Sequence, residues 1–396
     1  MRQYRHIYQR LQQYGSIIST IPIIAMSICA LQPLGLLRDV DWSVNDTLLR
    51  MRPQAPVDES IVIVYADEPD VVDLSWPLSD QVLADLLQRI DAAKPIAVGL
   101  DIFRDIPVGN PADFQKLHQF MGAMESLYGI DRLATNQSKI VAPPPILEAE
   151  NRVGFANLPM DADLRIRRLM LSWKAAGDEE FRSSLALLLA ERYLAKRYGI
   201  TPEVLDSETF KVRLGAVEFM PLDAYRGYYY SQTIDQIDGY QIPFDYRGQM
   251  DRFQTISMSE VLAGRYDSRL FRDRIVLIGA IAPSLKDNFN TPHESKWLFS
   301  QTQDQQFMSG VVVHANAVSY LVSVATGTRL PIRLLSHGLI YGWIGLASIV
   351  GAGVTFYSFD RRPGQVCTLH FWRVVFGSAI GCCIILRSQR GRCMPV

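Results

Sequence analysis

Residues 61–103 read IVIVYADEPDVVDLSWPLSDQVLADLLQRIDAAKPIAVGLDIF. The stretch opens and closes on short apolar runs, IVIVY (61–65) and IAVGLDIF (96–103). Neither alternates apolar with polar, so both read as strands buried on two faces. Between them Ser79 stands where a helix needs an N-cap. Val82, Leu83, Leu86, Leu87 and Ile90 then recur at helical spacing, and Pro95 stops the run. Strand, helix, strand in this order predicts a βαβ unit with parallel strands and a right-handed crossover. The fold class expected is therefore α/β, a parallel or mixed sheet.

Further pieces outward along the chain agree with that reading. SKIVAPPP (138–145) predicts a short strand closed by prolines. FRSSLALLLAERYLAKRYG (181–199) predicts a helix with Leu185, Leu188, Leu189 and Tyr193 inward and Gly199 as its stop. RIVLIGAIA (274–282) is another buried strand, and MSGVVVHANAVSYLVSVATG (308–327) begins strand-like, turns helical and carries no charge after Ser309, which marks it as core. The aromatic stretch 227–248 reads as strands or loops. No repeat or low-complexity linker divides 38–333, which is taken as one domain.

The two ends differ in kind. No charged residue lies between Leu11 and Leu37, nor between Leu334 and Phe359. A helix across a hydrocarbon core of about 30 Å needs about 20 such residues. The expected layout is a cytoplasmic N-terminus (1–14), a membrane helix (15–37), the middle domain (38–333), a second membrane helix (334–359), a possible third (366–386) and a tail (387–396). The first run reads as an uncleaved anchor and not as a removed signal, because it is long and no small-x-small site follows it. Gly338, Gly342, Gly345, Gly351 and Gly353 in the second run would allow close helix–helix approach. Arg2, Arg5 and Arg10 precede the first run, and six arginines against Asp360 follow the start of the second. The chain as a whole carries net charge −1, so the middle is acidic. Basic ends around an acidic middle predict an inner-membrane, multi-pass protein with 38–333 on the extracytoplasmic (periplasmic) side. Cysteine is absent from 38–333, and the acidity argues against a nucleic-acid partner.

Ligands of open parallel sheets bind beyond the carboxyl ends of the strands. Acidic residues follow three predicted strands: Asp67 and Glu68 after IVIVY, Asp101 and then Asp105 at the end of IAVGLD, and Asp287 after RIVLIGAIAPSLK. Collected there, they could hold a polar ligand or a divalent cation. The plainer alternative makes them helix caps or partners of Arg165, Arg167 and Arg168. His314, inside an apolar run, is either a ligand-site residue or a core histidine, and Trp76 either a pocket wall or packing. No phosphate loop, dinucleotide fingerprint or nucleophile elbow occurs, and no histidine pair has metal-ligand spacing. No cofactor is named by these residues. Sensing fits better than catalysis. The alternative is a membrane-tethered, metal-dependent hydrolase using Asp67, Asp101 and Asp287.

NDTLLRMRP (45–53), IVIVYADE (61–68), WPLS (76–79), GLDIF (99–103), ANLPMDADLRIRRLML (156–171), IPFDYRG (242–248), DRIVLIGAIAPSLKDNFNTP (273–292) and SGVVVHANAVSYLV (309–322) follow one another in the order of a known pattern. Through them the middle resembles the second type of cyclase- and histidine-kinase-associated sensory extracellular domain. The resemblance implies a bacterial inner-membrane receptor whose extracytoplasmic domain takes an unknown small ligand, acting as a homodimer or with a partner that supplies the output. It implies no catalytic residue and names no ligand. Tyr65-Ala66-Asp67 is less acidic than the usual strand end.

The family's cyclase or kinase output does not follow in this sequence. After Phe359 the pattern is lost, and Cys367, Cys382, Cys383 and Cys393 crowd into the last thirty residues. A third crossing would also leave Arg387, Arg390 and Arg392 outside. The expectation is a tail read in a shifted frame. The alternatives are a natural stand-alone membrane sensor, and a reactive or acylated cysteine tail.

Overall fold

A computed structural model describes residues 22–23, 25–31, 36–133, 139–173, 181–206, 211–219, 222, 239–293, 307–332 and 337–361. The expectations for 1–14, 366–386 and the tail lie outside these residues, as do those for residues 227–238 and most of 15–37. The chain divides into two compact units: residues 1–51, 223–234 and 334–396, and residues 52–222 and 235–333.

In the first unit, helix α1 (Arg38–Arg50) carries Asp39 and Asp41 in its first turn and Arg50 in its last, complementing the helix dipole at both ends. Trp42, Asp46 and Leu49 are its buried residues. Helix α9 (His337–Arg361) covers most of the second uncharged run, extends past it to Asp360 and Arg361, and presents Leu339, Leu346, Ile349 and Val350 outward. Among the described residues no helix is long and apolar enough to cross a membrane.

The second unit is built on a six-stranded, wholly parallel sheet. In chain order its strands are β1 (Asp58–Ala66), β2 (Ala97–Leu100), β3 (Leu127–Asp131) and β4 (Val153–Phe155), followed by β9 (Phe253–Ser257) and β10 (Ile275–Ala280). Their order across the sheet is β9-β1-β10-β2-β3-β4. The predicted βαβ unit is present. However, β10, from far along the chain, inserts between β1 and β2, pairing Val64 with its Ile278 and Leu100 with the same residue.

Strand periodicity sends alternate side chains to opposite cores. Ile61, Ile63, Ala97, Ile275 and Leu277 enter one face, under helices α6 (Leu185–Tyr198) and α8 (Gly310–Ala325). Val62, Val64, Val98, Leu100, Val276 and Ile278 enter the other, under α3 (Asp80–Ala92), α4 (Pro111–Ala123) and α7 (Met258–Leu262). A short helix, α2 (Glu68–Asp73), follows β1 directly, and α5 (Pro145–Ala149) opens on the last of three consecutive prolines. A sheet covered on both faces explains why its strands lack alternation in sequence.

Ser79 caps α3 by accepting from Val82 N at 3.3 Å. Helix α6 starts later than the sequence predicts, because Ser184 is its cap and Arg182–Ser183 form a bridge in a neighbouring sheet. Gly199 stops it at φ 65°, a conformation a side chain disfavours. Ser184→Ala should cost about 1 kcal/mol in urea unfolding, since the cap is buried and its Leu187 N–H would lose its acceptor. The expected strand at 138–145 is reduced to one bridge, Val141 with Arg132, and the prolines open α5 instead. The prolines themselves are the reason. Pro143, Pro144 and Pro145 can donate no ladder hydrogen bond, whereas a proline at the first helical position has no N–H to leave unpaired. Smaller antiparallel sheets complete the unit. β5 (Arg168–Trp173) pairs with β8 (Gly239–Pro243), and β6 (Pro202–Asp206) with β7 (Lys211–Leu214).

Candidate functional site

Because β1, β10 and β2 run parallel and adjacent, their carboxyl ends share one edge. Ile281 N donates to Ala66 O, and Asp101 N to Ile278 O, each at 2.8 Å. The residues that follow these strands emerge together there.

Asp67 is the N-cap of α2 and accepts from Asp70 N at 3.0 Å. This is the capping role weighed against a ligand role, and geometry favours the cap. Glu68 reaches across the edge and accepts from Ser284 N at 2.7 Å, which ties the turn after β10 to the turn after β1. That turn, Pro283–Leu285 followed by Lys286 at φ 58°, delivers Asp287. A two-residue ladder, Asn288–Phe289 against Met308–Ser309, then brings Asp287 to the first turn of α8, where Gly310 N donates to its carbonyl at 3.1 Å.

Two glycines make room. A Cβ on Gly279 would stand 2.7 Å from Val311 Cβ and 3.4 Å from Asp101 Cβ, so its absence lets α8 close on the sheet edge. A Cβ on Gly310 would collide with the Asp287 carboxylate. Sequence reading passed over both. The signal was visible as glycines in VLIGA and MSGVV, but their partners are distant in the chain.

Asp101, Asp287 and His314 therefore meet. His314 Nε2 lies 3.9 Å from Asp101 Oδ1, with side chains 4% and 9% exposed. That distance is an electrostatic contact, beyond hydrogen-bond range. His314 Nδ1 is buried without a partner among the described residues. Burial pushes the Asp101 carboxyl up to about 7. Desolvation, then the Asp101 charge, pushes Asp287 up to about 6, against the pull of His314 and the Gly310 amide. Desolvation takes His314 down to about 4, opposed by Asp287. Near neutrality the imidazole is uncharged and the two carboxyls compete over ionisation.

The other candidates stand elsewhere. Trp76 packs, partly buried, on the α3 face, whereas His314 belongs to the α8 face. Asp105 stands near Arg104, whose Nη1 pairs with Asp80 at 3.3 Å on a buried contact. Arg165, Arg167 and Arg168 take Asp161 and Asp163 from their own turn, not the edge carboxylates. Among the described residues no group of three or more His, Cys, Asp or Glu could hold a metal ion, so the hydrolase alternative finds no metal centre there.

Sequence reading also missed the clamp that fixes α8. Asn316 accepts from the amides of Arg247 and Gly248 at 2.8 and 3.2 Å and donates back to Gly248 O at 3.0 Å. Arg247 then binds Ser319 Oγ, Ser323 Oγ and Asp58. DYRG and HAN were legible as motifs, but their mutual contact was not.

A family model, CHASE2 domain, matches residues 23–353 of the chain. No curated protein and no solved structure matches it.

Proposed function

We propose that the chain, which belongs to the CHASE2 domain family, is a membrane-tethered receptor input whose extracytoplasmic domain binds a small molecule at the Asp101–Asp287–His314 edge. CHASE2 is a sensory domain of signal-transduction proteins and not a catalytic one, and the match over residues 23–353 is the observation that carries the reading. The layout proposed is residues 1–14 in the cytoplasm, 15–37 and 334–359 as membrane helices, 38–333 outside the inner membrane and 366–386 as a possible further crossing. The long uncharged runs, the basic ends and the acidic middle support it. The receptor works as a homodimer or with a partner protein that supplies the output.

Mechanistically, α8 is the element to watch. It carries His314, it is buried along its whole length, and it leads by a short connection to residues 334–359. A ligand preferring one placement of α8 shifts the population of arrangements by its differential affinity and by nothing else.

A hybrid tests this. An adenylate cyclase catalytic domain placed after residue 361 should show basal output that shifts, at equal expression, when Asp101 or His314 is replaced. A phosphatase reporter fused after residue 332, active only outside the cytoplasm, should be active. A silent phosphatase would sink the topology. A hybrid output indifferent to every site substitution would sink the receptor reading.

A further inference from the structure

We propose that the cluster of buried side chains at the sheet edge takes a protonated amine: a ligand whose ammonium group donates hydrogen bonds to the carboxylates of Asp101 and Asp287 and to the imidazole of His314. The proposal rests on the receptor reading above and names its ligand class.

The argument starts from what is unsatisfied. Asp101 is nine-tenths buried, and its carboxylate accepts no hydrogen bond among the described residues; its nearest polar contact is His314 Nε2 at 3.9 Å. A buried carboxylate without a donor is costly, and native structures rarely leave one so. His314 is buried as deeply, its Nε2 faces Asp101 at 3.9 Å, and its Nδ1 has no hydrogen-bond partner among the described residues. Asp287 completes the set from the loop after β10, its carboxylate against Gly310. Each neighbouring element brings a titratable group to this edge: Asp101 from β2, Asp287 from its loop, His314 from α8, and Glu68 from α2, which is engaged by Ser284 N. No arginine or lysine among the described residues pairs with any of the first three. Arg104, the nearest in sequence to Asp101, is turned to Asp80, and Lys286, next to Asp287 in the chain, forms no ion pair among the described residues.

The class of occupant follows by elimination. An anion is repelled by two carboxylates. A divalent cation needs ligands closing together, which the described residues do not offer. Water or a hydroxyl supplies donors but leaves the charge uncompensated. An ammonium group supplies up to three donors and the charge, and the two carboxylates and one nitrogen of the neutral imidazole are acceptors. Binding it favours ionised carboxyls, so it drives protons off Asp101 and Asp287, whose carboxyls burial now holds high.

The experiment uses the full chain in detergent micelles with methylammonium chloride as probe. Tetramethylammonium chloride carries the charge without N–H donors, and potassium chloride controls ionic strength. Methylammonium is expected to raise the unfolding midpoint with concentration, and the two controls are not. Calorimetry near pH 6.5 in two buffers of different ionisation heat should show proton release on binding. Asp101→Asn and Asp287→Asn should each weaken binding about tenfold or more, whereas Glu203→Gln, an exposed carboxylate on another sheet, should not. Equal shifts from tetramethylammonium, no response to methylammonium, or unchanged affinity in both Asn variants would overturn the proposal. If methylammonium fails while the cyclase hybrid still responds to site substitutions, the ligand class is wrong and the receptor reading stands. If binding holds while the hybrid is indifferent, the reverse is true.

Discussion

Asp101→Asn is expected to make the protein more stable than the wild type near pH 8 and to leave it unchanged near pH 3. The reason is a carboxyl whose folded-state value, about 7, lies above its ordinary 3.8. Below the ordinary value the group is protonated in both states and favours neither. As pH rises towards 7 the unfolded chain gives up the proton and the folded one does not, so stability falls across that window and stays lost above it. The gap between the two values, at about 1.36 kcal/mol for each pH unit, sets a ceiling of about 4 kcal/mol. Reorganisation around the charge will lower the observed gain to about 1–3 kcal/mol. Asn keeps the shape and carries no charge to bury. His314 acts in the opposite sense. Its value, depressed to about 4, means that stability is lost as pH falls from 6.5, where the unfolded imidazole takes up a proton. Urea unfolding of both proteins across the pH range checks the claim. A variant weaker than the wild type at pH 8, or a gain that is constant with pH, would refute it. The same variant loses the proposed ammonium contact while its fold is strengthened, so loss of binding there cannot be put down to misfolding.

What could be read from the residues, and what could not, divides along sequence distance. The βαβ stretch at 61–103 was legible because cap, apolar spacing and stop all lie within one short span. The sheet order was not, since β10 enters between β1 and β2 from residues 275–280 and no local signal marks its neighbours. At the edge, the positions of Asp67, Asp101 and Asp287 after their strands were predictable, but their fates diverged. Asp67 met an open helix N-terminus one residue on and became its cap. Asp101 emerges at the end of β2 beside Gly279 and beneath α8, and its carboxylate takes no amide among the described residues. Whether a carboxylate after a strand caps or waits depends on what the neighbouring strand delivers, and that is tertiary information. The glycine contacts at 279 and 310 and the Arg247–Asn316 clamp were hidden for the same reason.

Asp161→Ala should be strongly damaging, costing about 3–5 kcal/mol. Its carboxylate, in the turn before β5, accepts from Arg167 Nη1 at 2.9 Å and Arg168 Nε at 2.8 Å, and all three side chains are at most 3% exposed. Arg168 also donates to Gln241 Oε1 at 2.7 Å, so the same turn is fastened to β8. Removing the carboxylate leaves two neighbouring buried guanidiniums with one negative charge fewer between them, and that imbalance, more than the lost bonds, sets the cost. Asp163 provides the contrast. It shares Arg167 at 2.6 Å but is one-third exposed, so Asp163→Ala exchanges its contact for water and should cost about 1 kcal/mol. Asp161→Asn, which keeps the shape and some hydrogen bonding, should fall between the two. Urea unfolding of the three variants at one pH gives the order directly. If Asp161→Ala proved no worse than Asp163→Ala, the arginines would not depend on the acids of their own turn.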